Sequence, residues 1–119
     1  MTIRRFEELE IWQKARELCK KIKQIADPTS LSGDFELKDQ VLVSGCSVMD
    51  NIAKGFEMDG MKEFLNFLYH SEVSVGETRS LVHRIYDASH INEEKYKELL
   101  EDCLNLSGQI KGFINYLCS

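Results

Sequence analysis

Proline occurs once in these 119 residues and glycine seven times. So few helix breakers leave long helices as the natural reading and argue against a turn-rich β architecture. Long apolar runs are missing too: no window approaches the roughly eighteen consecutive apolar residues of a membrane span. The opening stretch MTIRRFEELEIWQ has no apolar core of the kind a secretory leader needs. No membrane partner is expected, and the expected compartment is the cytoplasm. C-x-x-C pairs are absent, and Cys19, Cys46, Cys103 and Cys118 are scattered without metal-ligand spacing. A disulfide framework is not expected; the cysteines read as buried or partly buried thiols acting as small hydrophobes.

Catalytic signatures are missing as well. There is no G-x-x-x-x-G-K phosphate loop, no G-x-S-x-G elbow and no Cys–His pairing with an orienting group. No catalytic residue, cofactor site or small-molecule substrate is therefore assigned. His83, Asp87 and His90 are acceptable zinc ligands by type. Seven residues along a helix is about 10 Å, too far for one ion, so no metal site is assigned either.

What is present is helical periodicity. The length suits a single domain spanning residues 1–119. A first helix is expected over 3–26, with Ile11, Ala15, Leu18, Ile22 and Ile25 on one face, ended by Asp27-Pro28. A second is expected over 35–57, with Leu37, Val41, Val48 and Ile52 inward, and Gly60 permits a tight turn after it. A third, over 61–88, keeps strict 3,4 spacing through Met61, Phe64, Leu68, Ser71, Val75, Thr78, Val82 and Ile85. A fourth, over 92–117, opens on Asn92 as N-cap with Glu93 and Glu94 in its first turn. Gly108 and Gly112 read as a point of close helix packing. The fold class is all-α: an up-down-up-down antiparallel four-helix bundle with left-handed, coiled-coil-like packing.

The second helix also carries a stripe of small and polar residues, Gln40, Ser44, Ser47, Asn51 and Gly55. The third carries Ser71, Ser74, Thr78 and the neighbouring Glu77. Folding back at residues 58–60 sets Ser47 opposite position 72 and Ser44 opposite position 75, so the two belts coincide. Facing hydroxyls, amide and carboxylate then satisfy one another while small side chains let the backbones approach. The belt reads as a packing and register device; a ligand pocket is the alternative. On this reading Asn51 is buried in the layer, and Asn51→Leu costs about 2–4 kcal/mol through overpacking and a lost hydrogen bond.

Charge is uneven. Residues 4–24 hold seven basic and four acidic side chains, a local +3, while the remainder holds eight basic and sixteen acidic, a local −8. A polyanion would therefore have to meet the first helix, where Arg4, Arg5, Lys14, Arg16, Lys20, Lys21 and Lys23 are the candidates.

Five segments together carry a family resemblance: FEELEIWQKA at 6–15, LKDQ at 37–40, SVMDNIAKGFE at 47–57, KEFLNFL at 62–68 and SVGE at 74–77. In order and spanning nearly the whole chain, they resemble the four-helix-bundle proteins also called 23S rRNA intervening-sequence proteins. The resemblance implies a closed bundle assembled as a homopentamer. It also points to the related accessory variability determinants of retroelements, which bind a reverse transcriptase and RNA through a basic surface. Two positions depart from the family pattern. Lys54 stands where Glu is usual, and Leu42 and Val43 stand where one or two arginines commonly follow Gln40. Two functions follow from the resemblance: a non-enzymatic homo-oligomeric interaction protein, or a nucleic-acid or ribonucleoprotein accessory factor working through helix 1.

Overall fold

A computed structural model of the chain describes residues 2–119. Its helices are α1 (Glu10–Ala26), α2 (Phe35–Glu57), α3 (Met61–Asp87) and α4 (Glu93–Cys118), packed into a rod of 43 × 21 × 19 Å. Each helix runs antiparallel to its neighbours. Cys19 and Ile22 of α1 meet Cys46 and Gly45 of α2, and Ser47 of α2 meets Ser74 of α3. Phe64 and Tyr86 of α3 meet Phe113 and Tyr96 of α4, while Lys21 of α1 meets Asp102 of α4. This is the up-down-up-down order that short connections between long helices dictate.

The boundaries have local causes. Asp34 caps α2 by accepting from Leu37 N, and Asn92 caps α4 by accepting from Lys95 N at 2.8 Å. Gly60 adopts φ +94, a left-handed conformation that glycine holds without steric cost, and this allows a three-residue turn between α2 and α3. The core is continuous along the rod, with Ala15, Ile22, Val41, Val48, Ile52, Leu68, Val82, Ile85, Leu99 and Ile110 fully buried.

Two expectations need correction. The first helix does not start at residue 3. Phe6–Glu8 form a 3₁₀ turn, Leu9 is extended, and α1 begins at Glu10. A continuous helix would point Leu9 away from the Ile11–Leu18 face and into solvent. Breaking the helix turns Leu9 inward to 4% exposure and lets Phe6 pack on Trp12. Burial of two apolar side chains outweighs one more turn of helix.

The cysteines do not all remain thiols, either. Cys19 and Cys46 are joined in a disulfide between α1 and α2. Each sits at the edge of its helix's apolar face, and beside them Gly45 presents no side chain to Ile22. That close approach brings the two Cα atoms to 4.8 Å, within disulfide range. Cys103 is a buried thiol and Cys118 an exposed one.

Candidate functional site

The belt between α2 and α3 is built mainly from hydroxyls. Ser71 donates across the interface to the carbonyl of Val48 at 2.9 Å. Ser47 Oγ donates to its own helix at Ser44 O (2.9 Å) and lies 2.8 Å from Ser74 Oγ. Thr78 Oγ1 donates to Ser74 O at 2.8 Å and lies 3.0 Å from Ser44 Oγ. Each hydroxyl has one proton and two lone pairs, so an oxygen that donates to a carbonyl can still accept from its neighbour. Among the described residues, Ser44, Ser71 and Thr78 are the buried polar side chains, and all three are satisfied.

At the turn end of the belt the interface is closest. A Cβ at Gly55 would lie 2.8 Å from Phe67 Cβ, 3.1 Å from Phe64 Cδ1 and 3.2 Å from the Phe64 carbonyl. Glycine is there because two helix backbones pass where a side chain would stand. Ser71 meets Val48 on the register expected from the sequence, while the hydroxyl pairs Ser47–Ser74 and Ser44–Thr78 are offset from it by two or three residues.

The remaining belt candidates lie at its rim. Gln40 is half-buried, accepts from Arg84 at 3.0 Å and donates to Glu36. Glu77 is exposed. Asn51 is half-buried, and its amide donates to Ser47 O at 2.9 Å within its own helix, so it does not pair with Ser71 or Ser74. Asn51→Leu is therefore expected to cost about 1 kcal/mol, not the larger value that full burial implies. Thr78→Val should cost more, about 1–3 kcal/mol, because it strips a donor from a site with no water to replace it. Ser47→Ala falls between or below them. Urea melts of the three variants give the ranking, and a Thr78→Val protein as stable as the parent would show that the belt contributes nothing.

The candidate cations of helix 1 divide between two faces. Lys14 and Lys21 line a furrow of about 570 Å³ between α1 and α4, with Glu17, Asp102, Asn105 and Gln109. Lys21 binds Asp102 at 2.7 Å and Glu98 at 3.2 Å. The hydrogen bond to Asp102 raises the Lys21 pKa, and Lys21 in turn lowers that of Glu98. The cluster therefore holds through neutral pH; it weakens as pH rises past the Lys21 pKa or falls past that of Glu98. Both side chains keep about a third of their surface in water, so the stabilisation is small.

Arg16, Lys20 and Lys23 face outward, Arg16 over the Trp12 ring at 5.7 Å and Lys20 paired with Glu17. Arg4 and Arg5 precede the helix and are exposed. His83 pairs with Tyr96, which stacks on Tyr86, whereas His90 bridges Ser30 and Asp34. Their different partners separate the two histidines, and the described residues contain no cluster of three metal-ligating side chains. Gly108 and Gly112 are exposed with nothing within 4 Å of a Cβ, so they do not mark close packing within the chain. Burial pushes the Cys103 thiol up to about 12, which keeps it protonated and inert. None of the described helices is long and apolar enough to cross a membrane.

A family model described as 23S rRNA-intervening sequence protein matches residues 7–112. A crystal structure of a protein of unknown function from the S23 ribosomal protein family of Bacteroides thetaiotaomicron superimposes with a TM-score of 0.79. The two are 20% identical, and the match covers 87% of this chain and 97% of that one, so the likeness is one of fold. No curated protein matches.

Proposed function

Because the chain belongs to the 23S rRNA-intervening sequence protein family, we propose that it is a non-enzymatic, self-assembling bundle that presents a surface to a macromolecular partner. The observation that carries this reading is apolar surface on the solvent side of α2 and α3. Phe35, Val43 and Val73 are each more than 70% exposed, and Tyr69 is half exposed. Val43 matters most among them, since the family resemblance leads one to expect an arginine after Gln40 and the chain has Val43 there instead. A branched apolar side chain there favours contact with protein over contact with phosphate.

The assembly is a homopentamer on this reading. Static light scattering at micromolar concentration should return a mass near five times 13.8 kDa. A particle of 13.8 kDa would remove self-assembly from the proposal.

A second reading, an RNA or ribonucleoprotein accessory role, draws on the candidate cations left without an acidic partner among the described residues: Arg4, Arg5, Lys14, Arg16 and Lys23. Lys20 and Lys21 support it less, being tied to Glu17 and to Asp102 and Glu98. Five phosphate contacts give a log–log salt slope of about −3.5 on single-stranded segments and about −4.5 on duplex ones. Filter binding to structured RNA across a salt titration tests this. Absent binding at low salt, or binding indifferent to salt, leaves the protein-partner reading alone.

A further inference from the structure

We propose that Cys19 and Cys46 are a reversible thiol–disulfide pair that sets how firmly α1 is held against the rest of the bundle. The two residues lie within the bodies of α1 and α2, where Ile22 packs over Gly45. That packing sets the helices close with or without a sulfur–sulfur bond, so interconversion needs no refolding.

Access is one-sided. Cys19 is 7% exposed, while Cys46 is half-buried and open to a small reagent. A thiolate formed at Cys46 attacks glutathione disulfide, forming a mixed disulfide and releasing one glutathione. Cys19 then loses its proton to solvent, attacks the Cys46 sulfur and releases the second glutathione. Two protein thiols and one glutathione disulfide thus become one protein disulfide and two glutathione thiols. The fully buried Cys103 cannot compete for the exchange.

The bond matters for α1 in particular because the other side of that helix is weakly attached. Across the furrow to α4, the polar ties are the Lys21 cluster, and Leu18 and Leu106 line the furrow between the helices. The furrow leaves Gln109 Oε1 buried without a hydrogen-bond partner. By contrast, α2 and α3 are joined by the hydroxyl belt and by the close contact at Gly55. Reduction removes the disulfide between α1 and α2 and leaves α1 held by the Ile22–Gly45 packing and the furrow side alone.

Hydrogen exchange on the full chain, equilibrated in oxidised or reduced glutathione, tests this. Alkylation after unfolding, read peptide by peptide, should spare Cys19 and Cys46 in the oxidised sample and modify both in the reduced one, the exposed Cys118 being free to carry glutathione in the first. In the reduced chain, amides of residues 10–26 should exchange about tenfold faster than those of the α2–α3 contact region, which open only with the whole bundle. Cys46→Ser should match the reduced chain under both conditions; should it fail to fold, the wild-type comparison decides alone. Alkylation of both Cys19 and Cys46 after oxidation would overturn the proposal. So would α1 exchange that is equal in the two states, or α1 amides as well protected in the reduced chain as those of the α2–α3 contact region.

Discussion

Gly55→Val is expected to cost about 3 kcal/mol or more, the upper range for overpacking a closed interface. The clash is with the β-carbon of Phe67 and the backbone carbonyl of Phe64, atoms that cannot swing aside as the end of a flexible side chain can. Relief requires α2 and α3 to separate, which also lengthens the Ser71–Val48 and Thr78–Ser44 contacts of the belt. Gly112→Ala is the matched control. Nothing lies within 4 Å of its Cβ, and alanine's helix propensity should add up to about 1 kcal/mol. Urea melts of the two variants should therefore shift in opposite directions. A Gly55→Val midpoint equal to the parent's would show that the helices are not in contact there.

The second large effect is on the cross-link. Closing a loop across a sequence separation of 27 removes unfolded-state entropy worth about 3.5 kcal/mol. Reduction should lower the urea midpoint by about 2 M for a domain of this size. The Cys19→Ser variant should show the lower midpoint with or without reductant. Equal midpoints for samples verified by mass as oxidised and reduced would mean that the bond constrains nothing the packing had not already fixed.

Much of the architecture is legible from residue spacing. From Phe64 to Ile85 the 3,4 pattern of α3 maps onto its buried face, Met61 at the turn being half exposed, and Asn92 and Gly60 do what their chemistry suits them for. The belt is visible because hydroxyls recurring at helical intervals on two consecutive segments must meet when those segments fold back. Its register is less finely visible: Ser71 meets Val48 as the fold-back expects, but each hydroxyl reaches a partner two or three positions further on, and periodicity carries no information about which of several facing residues a side chain reaches. Asn51 shows the same limit. It shares the stripe with Ser47, yet an amide long enough to reach a carbonyl one turn back in its own helix needs no partner on α3.

Leu9 and the cysteines were hidden for a different reason. Whether to break a helix for one more buried leucine depends on what the opposite wall offers, here Phe113 and Ile11 around the same depression. Cys19 and Cys46 pair because Gly45 lets α1 approach, a contact between helices that no spacing within either one reveals. The cation face divided for a related cause: Lys21 finds acids on α4, far away in sequence, that the local charge of helix 1 does not foretell.

The three-residue turn between α2 and α3 has a kinetic consequence. A chain must lose little loop entropy to close that hairpin, whereas joining Lys21 to Asp102 brings together residues 81 apart. The hairpin is thus the natural folding nucleus, with α1 and α4 docking after the barrier has been crossed. Thr78→Val should then act chiefly by slowing refolding. Lys21→Met, in the late seam, should leave refolding nearly unchanged and appear as faster unfolding. On that view the hydroxyl belt governs how quickly the bundle forms, and the α1–α4 furrow governs how long it lasts.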